Sequence, residues 1–185
     1  MKLLLVLLMT VSGSDPFVVD ASKEISYDVG ISRESLREYV DDIGLFARNM
    51  PDVVGVTPTG PDTYLYKTAK EIPLSGRLET DFQIRKSTEG DSVTIYRSTA
   101  ENDYNYMSCR VQIRTVDESH SNIAIRLRIR LTRENASEVH WLAPILGERF
   151  IESRMNDDLE AMMKEFVERS NNELYSRIKS ASAER

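Results

Sequence analysis

The stretch that decides the fold is residues 141–179, WLAPILGERFIESRMNDDLEAMMKEFVERSNNELYSRIK. Its apolar residues recur at steps of three, four or near multiples of these, which is the spacing of one face of a helix. Pro144 suits the first turn of such a helix, where its missing N–H costs nothing. The pattern predicts one long helix with a buried apolar stripe formed by Leu142, Ile145, Leu146, Phe150, Met155, Leu159, Met162, Met163, Phe166, Val167, Leu174 and Ile178.

Three segments upstream of this helix alternate between apolar and polar residues. In residues 121–133 the apolar positions are separated by arginines and threonine, and residues 104–116 and 76–86 alternate in the same way. One buried face and one solvated face are typical of an antiparallel sheet. The connections between the segments are short and polar, which predicts that neighbouring strands pair as a meander.

The front of the chain supplies the remaining elements. Residues 23–31 alternate as a first strand does, and Ser32 can cap a short helix that follows. A second short helix ends before Pro51, because the residue preceding a proline disfavours the helical region. Residues 53–57 and 63–70 are predicted to form two more strands. The predicted order is a strand, two short helices, six strands and a long helix.

This order resembles the START-like (SRPBCC, helix-grip) superfamily over residues 23–179. The segments ISYDVGI (25–31), SRESLREYV (32–40) and NMPDVV (49–54) are similar to the family's opening strand, helix pair and second strand. The resemblance implies an α+β fold, in which a curved antiparallel sheet of about seven strands wraps a long C-terminal helix. It also implies an apolar cavity and a small hydrophobic or amphipathic ligand, such as a lipid, a quinone or a polyketide-like molecule.

The N-terminus is predicted to be a leader. Lys2 is followed by an apolar run over residues 3–9 that is too short to span a bilayer, and small residues follow it. Both Val11-Ser12-Gly13 and Val19-Asp20-Ala21 fit a cleavage site. We therefore expect a signal peptide and leader over 1–21, a START-like domain over 22–180 and a polar tail over 181–185. The predicted location is exported, periplasmic or secreted, and it is cytoplasmic if the leader is not a signal.

Net charge, cysteine count and residue spacing argue against several classes of function. The net charge of −6 argues against general nucleic-acid binding. Cys109 is the single cysteine, so no intramolecular disulfide forms, and His120 and His140 are poorly placed to activate it as a nucleophile. No histidine, cysteine or carboxylate spacing matches a metal site. The sequence predicts no catalytic residue, no metal and no cofactor.

Pairing the strands through their turns predicts which side chains reach the cavity. If Ile95 lies opposite Cys109, Arg97 lies opposite Met107 and points inward. If Phe82 lies opposite Ile95, Thr80 lies beside Arg97 on the same inner face. An inward arginine in an apolar cavity is costly unless it meets an anionic group, so Arg97 is a candidate for binding an acidic ligand head. The alternative is that Arg97 lies near the strand end and extends to water.

The complete set of predicted ligand-binding residues combines the strands with the long helix. The helix residues follow from the resemblance, because this part of the helix lines the cavity in family members, although core packing explains them equally well. The set is Arg97, Thr80, Phe82, Met107, Leu146, Phe150, Met155 and Met162. Two further hypotheses are that Trp141 plugs one end of the cavity, and that tyrosine hydroxyls line its mouth, from Tyr64, Tyr66, Tyr104 and Tyr106.

A stripe of arginines is predicted on the outer face of two neighbouring strands. With Asp117 opposite Ser121, Arg110 falls opposite Arg128, a like-charge pair that is mildly destabilising. Peripheral contact with an anionic membrane is one interpretation. The pattern favours a solvated face balanced by Glu79, Asp81 and flanking acids. The stripe consists of Arg110, Arg114, Arg126, Arg128 and Arg130.

The favoured function is storage or transport of a small hydrophobic or amphipathic ligand, without chemistry on it. Two alternatives stay open at this point. One is a protein- or membrane-interaction module that uses the outer sheet face. The other is a cyclase- or aromatase-like enzyme, which requires an acid–base group in the cavity, and the sequence offers no evident inward histidine or carboxylate.

Overall fold

A computed structural model describes residues 16–72, 76–99, 104–139 and 143–183 of the chain. The predicted leader up to residue 15, Trp141 with its predicted role as a plug, Leu142 and the side chain of Ile178 lie outside the described residues.

The described residues form a seven-stranded antiparallel sheet with helices on one side, which confirms the predicted α+β helix-grip fold. The strands lie in the order β1-β7-β6-β5-β4-β3-β2. The bounds are β1 Phe17–Val29, α1 Arg33–Asp41, α2 Ile43–Arg48, β2 Val53–Gly60, β3 Thr63–Ile72, β4 Gly76–Glu89, β5 Val93–Ser98, β6 Asn105–Thr115, β7 Ser121–Arg133, a 3-10 turn Ala136–Glu138, α3 Ala143–Leu146 and α4 Glu148–Ala183.

Strand β1 begins earlier than the sequence predicts. Phe17 already pairs with Arg133 of β7, and Val19 and Ala21 are buried on the inward face. The apolar alternation of β1 is interrupted in the sequence, because Lys23 occupies the next inward position, where an apolar residue is expected. The domain's sheet therefore includes residues that the sequence assigned to the leader.

The first short helix begins at the predicted cap, Ser32, and the structure shows a second cap at Asp42. The Ser32 hydroxyl accepts a hydrogen bond from the Ser35 amide at 3.4 Å, and the Asp42 carboxylate accepts one from the Leu45 amide at 3.1 Å. Each cap satisfies an amide that has no partner within its own helix. The helices bury Leu36 and Phe46 against the sheet, and so close one end of the core.

A buried network of polar side chains joins these helices to α4. The Tyr39 hydroxyl lies 2.9 Å from the Ser170 hydroxyl, and the Asn49 amide group donates to the same Tyr39 oxygen at 2.9 Å. Burial raises the pKa of Tyr39, so the phenol stays protonated in the interior. Because unpaired polar groups are costly inside a protein, this network holds α1, α2 and α4 in one arrangement.

The predicted single long helix is in fact interrupted. Gly147 has φ +79°, a conformation that favours glycine, and it separates the short α3 from the 36-residue α4. The predicted stripe is correct at Leu159 and Phe166, which are buried. It is wrong at its start, because Ile145 is 78 % exposed. Helix α4 runs on to Ala183, into the predicted polar tail.

The first part of α4 lies along the free edge of β1. The Glu148 and Glu152 carboxylates accept hydrogen bonds from the Val18 and Asp20 amides at 3.3 and 3.4 Å, and the Asn156 side chain accepts one from the Ser22 amide at 3.2 Å. Four helix residues rise about 6 Å and two strand residues about 6.7 Å, so the two repeats match. The helix thereby covers an edge that is otherwise open to pairing with another chain. The last contact of the row is the ion pair Lys23–Glu160 at 3.1 Å.

Candidate functional site

A cavity of about 400 Å³ lies between the inner face of the sheet and the first half of α4. Protein cores leave few voids larger than a water molecule, so a space of this size is not a packing defect. Its volume is within the range of about 300–1,000 Å³ that small-molecule pockets occupy. Strands β3 to β7 form the floor and α2 one wall, with side chains such as Phe46, Tyr66, Phe82, Met107, Leu127 and Leu159.

The deep part of the cavity is apolar with a few polar atoms. Thr80 and Tyr66 are buried, and both line the space on neighbouring strands. No hydrogen bond joins the Tyr66 hydroxyl or the Thr80 hydroxyl to any residue that the structure describes, whereas Thr68 donates to the Thr80 carbonyl at 3.2 Å. Burial raises the pKa of Tyr66, which keeps its phenol a neutral hydrogen-bond donor. These hydroxyls can bind a polar atom of a ligand.

Cys109 lines the same cavity, but it is not an activated thiol. Burial raises its pKa to about 12, so the sulfur is protonated at neutral pH. Nucleophilic attack requires the thiolate, and among the described lining residues there is no histidine to generate it. Cys109 therefore contributes apolar surface.

The mouth of the cavity combines charged and apolar groups. Lys70 of β3 and Asp158 of α4 form an ion pair at 2.9 Å across it, and Arg154 lies on the same rim. Leu146 and Phe150 line the cavity and are also 39 % and 47 % exposed, so the space reaches solvent beside the start of α4. This opening is the candidate entrance of the cavity.

The structure brings most of the predicted ligand-binding residues together. Seven of them line this one cavity, and their part in ligand binding stays a prediction. They are Thr80, Phe82, Met107, Leu146, Phe150, Met155 and Met162.

Arg97 is the exception, because the predicted register of β5 is wrong by one residue. Tyr96, not Ile95, lies opposite Cys109, and Arg97 lies opposite Ser108. A shift of one residue turns every side chain of a strand to the other face. Arg97 is therefore exposed on the outer face, and it is not beside Thr80.

The error has a physical reason. Both faces of β5 are buried except at Arg97, so its hydrophobic pattern does not distinguish inside from outside. The inward residue is Tyr96, whose hydroxyl donates to the Val40 carbonyl at the end of α1. Sequence reasoning missed Tyr96 as a lining residue, and an aromatic residue next to Ile95 was the available signal.

The four tyrosines placed at the mouth by the sequence have different positions. Tyr66 lines the cavity, and Tyr64 is half-buried against the core. Tyr106 is on the outer face with the Arg128 guanidinium 5.8 Å from its ring centre, and Tyr104 is exposed. Of this set, Tyr66 alone is among the described lining residues.

The predicted arginine stripe does lie on the outer face, with a different register and different partners. Arg110 is opposite Arg126, not Arg128. Glu24 pairs with Arg126 and Asp20 with Arg128, each at 2.5 Å, and Glu89 pairs with Arg110 at 2.9 Å. The predicted acids Glu79 and Asp81 instead pair with Arg77 and Lys67. The stripe is mostly a balanced, solvated face, because strands β1 and β4 carry the matching acids.

Among the described helices, none is long and apolar enough to cross a membrane.

Comparisons with known proteins establish the fold class. A START superfamily protein from Mycobacterium smegmatis matches with a TM-score of 0.58 and 11 % identity, over 84 % of this chain and 97 % of that one. A conserved protein from Geobacillus kaustophilus matches with a TM-score of 0.58 and 8 % identity, over 85 % and 96 %. The Zhui aromatase/cyclase from a Streptomyces species matches with a TM-score of 0.52 and 13 % identity, over 83 % and 90 %.

The chain therefore shares its fold with a protein described as a START superfamily member, as the order of elements indicated. At these identities the likeness concerns the fold alone. No protein-family model and no curated protein matches the chain.

Proposed function

We propose that this protein binds a small hydrophobic or amphipathic molecule in the cavity between the sheet and α4. The observation that carries the proposal is the cavity itself, an apolar space of about 400 Å³ open beside Leu146 and Phe150. Burial of apolar ligand surface contributes roughly 25 cal/mol per Å² of favourable free energy. Ordering the ligand and the side chains around it costs part of this free energy, and the remainder is the binding affinity. The START-like fold of the neighbours is consistent with such a role.

The position of the polar groups suggests how the ligand is oriented. The Tyr66 and Thr80 hydroxyls are buried, whereas Lys70, Arg154 and Asp158 lie at the rim. A neutral acceptor, such as a carbonyl or hydroxyl oxygen, suits the deep end, because no cationic side chain is among the buried residues that the structure places there. With Arg97 outside, an acidic ligand head has no deep partner in the described cavity.

We favour binding over catalysis. One structural neighbour is described as an aromatase/cyclase, and chemistry of that class needs an acid or base at the reacting atoms. In the described part of the cavity, the buried titratable groups are Tyr66, Tyr96 and Cys109, and burial raises the pKa of each, so all are protonated at neutral pH. The lining carboxylates, Asp52, Glu71 and Asp158, are not buried and belong to the rim.

The test uses a matched pair of probes, a medium-chain methyl ketone and the alkane of the same length. Tyr66→Phe removes the deep hydroxyl and keeps the ring. Because one hydrogen bond is worth about 1 kcal/mol, ketone affinity should fall about fivefold while alkane affinity is unchanged. Tyr104→Phe, at an exposed tyrosine, is the control and should change neither.

Native mass spectrometry with lipid extraction, on protein purified from its own host, should find a bound apolar molecule. Two results together contradict the proposal: an unliganded mass, and no binding of either probe to the unmutated protein. Turnover of a bound polyketide-like ketone would instead support the cyclase alternative.

We also propose that the chain is exported and that its leader ends before β1. Lys2 and the apolar run after it motivate export, and Phe17 begins the sheet. Cleavage after Ala21 removes part of β1, whereas cleavage after Gly13 leaves it whole. N-terminal sequencing of the mature protein should therefore begin at or before Phe17. Recovery of intact Met1 from the cytosol rules export out.

A further inference from the structure

The outer face of the central strands carries unbalanced positive charge. Strands β5, β6 and β7 contain seven arginines and no acidic residue, although the whole chain has a net charge of −6. Their ion pairs come from the flanking strands, where Asp20, Glu24 and Glu89 pair with Arg128, Arg126 and Arg110. These three acids do not match all the arginines of this face.

Arg97 of β5 and Arg85 of β4 are directly opposite each other and exposed. Neither forms an ion pair with an acidic residue that the structure describes. Like charges directly opposite each other on a sheet destabilise it, so the pair is costly as it stands. The arginines of the stripe that form ion pairs with acids lie on β6 and β7, one or two strands away from Arg97.

The neighbours of this pair on the same face are polar or apolar but not acidic. Across the strands they are Thr63 beside Arg85 and Ser108 beside Arg97. Along the strands, at i±2 of each arginine, they are Gln83, Ser87, Ile95 and Thr99. None of these six positions carries an acidic residue.

The two arginines also border a concavity of about 260 Å³ on the outer face, which Ser87, Ile95 and Thr99 help to line. Glu89 lies at its edge, with its carboxylate 2.9 Å from the Arg110 guanidinium. The concavity thus offers two unmatched guanidinium groups, hydroxyl groups and an apolar base.

We propose that Arg85 and Arg97 form a binding site for a phosphoryl group, separate from the ligand cavity. A guanidinium presents a planar fork of N–H donors that matches phosphate oxygens. A carboxylate has two oxygens and one charge, which a single arginine satisfies. A phosphoryl dianion has three terminal oxygens and about two charges, which suits two opposed arginines and removes their mutual repulsion.

The experiment is an NMR titration of the protein with inorganic phosphate at constant ionic strength set with chloride. The amide signals of Arg85 and Arg97 should shift and saturate. Arg97→Gln and Arg85→Gln should each weaken phosphate binding about fivefold or more, the effect of about 1 kcal/mol per exposed charged contact. Arg126→Gln, on the same face but paired with Glu24, is the matched control and should leave the affinity unchanged.

Thermal unfolding gives a second readout. Phosphate stabilises proteins in general by exclusion from their surface, so only the difference between variants is informative. The unmutated protein should gain more in Tm from phosphate than Arg97→Gln does, and in phosphate-free buffer Arg97→Gln should be at least as stable. Unsaturable shifts, or the same phosphate response in Arg97→Gln, would overturn the proposal.

The phosphoryl group can come from a soluble ester or from a lipid headgroup. Sedimentation with phosphatidylcholine vesicles, with and without phosphatidic acid, distinguishes the sources. Arg97-dependent binding to the acidic vesicles assigns the group to a lipid. Phosphate binding without vesicle binding assigns it to a soluble ester. Because the cavity variant Tyr66→Phe should leave the phosphate response intact, failure of this site and failure of cavity binding are distinguishable.

Discussion

Helix α4 has a shorter N-terminal part, residues 148–158 (the first half), and a longer C-terminal part, residues 159–183 (the second half). The two share one apolar period but have different surroundings. From Leu159 onwards the helix has buried positions, at Leu159, Met163, Phe166, Ser170 and Leu174. From Glu148 to Asp158 it has none; Ile151 and Met155 are half-buried, and Phe150 is 47 % exposed. The periodicity of a helix therefore identifies its apolar face but not how much of that face is packed.

The difference comes from what lies beneath each half. Under the second half, α1 and α2 fill the space above the sheet, and the rings of Phe46 and Phe166 are 5.1 Å apart. Under the first half, the edge of β1 supplies hydrogen bonds on one side and the cavity lies on the other. The second half anchors the helix, and the first half borders the cavity.

The largest expected effect is at Phe166. Its truncation to alanine removes a fully buried ring and should cost about 3–5 kcal/mol of unfolding free energy. Phe150→Ala, in the exposed half, should cost under about 1 kcal/mol. Urea denaturation of both variants measures the contrast. Equal losses would mean that the two halves are packed alike.

The next effect concerns the polar network that joins the second half to α1. Tyr39→Phe leaves the Asn49 amide group and the Ser170 hydroxyl without a shared partner in the interior. The expected loss is about 1–3 kcal/mol, because buried polar groups are left unsatisfied. Tyr175→Phe, on the exposed side of α4, serves as the control and should leave the denaturation midpoint in place.

A pH effect should follow from Asp41, at the end of α1. Partial burial tends to raise its pKa, but hydrogen bonds from Arg37, Thr94 and Lys86 outweigh this and hold the pKa below its ordinary value. The unfolded state then binds the proton more readily. The contribution of Asp41 to the free energy of unfolding is fully present above the pKa of the unfolded state, about 3.9. This contribution is lost as the pH falls from that value towards the lower pKa of the folded state.

The free energy of unfolding, measured from neutral to acidic pH, should show this loss. In Asp41→Asn the free energy of unfolding should depend less steeply on pH in the acidic range. Asp91→Asn, at an exposed turn, is the comparison variant and should keep the steeper dependence of the unmutated protein. The same slope for both variants would mean that Asp41 does not stabilise the layer that supports the second half.

The smallest effect is local, in the first half. Glu152→Ala removes the side-chain acceptor of the Asp20 amide on the edge of β1. We expect faster hydrogen exchange at that amide with a global stability change of about 0.5 kcal/mol or less. Ser153→Ala, on the exposed side of the same turn, is the control. Unchanged exchange at Asp20 in Glu152→Ala would show that the helix does not protect this edge.

The candidate site was only partly predictable, and the residues show why. Thr80, Phe82 and Met107 belong to strands with one clearly polar face, so their inward orientation followed from alternation. Arg97 did not, because β5 buries residues on both faces and its register depends on pairing with β4 and β6. The deep hydroxyl of Tyr66 was one of four tyrosines that the sequence left undecided.

By itself the sequence determined the kind and order of the elements, the cap at Ser32 and the faces of the long strands. These depend on local spacing, which each segment carries on its own. Only the tertiary structure decided the register of β5, the break at Gly147 and the part of the α4 stripe that is packed. Those features depend on which neighbours fill the space beside a residue, and the cavity exists because none does so under the first half of the helix.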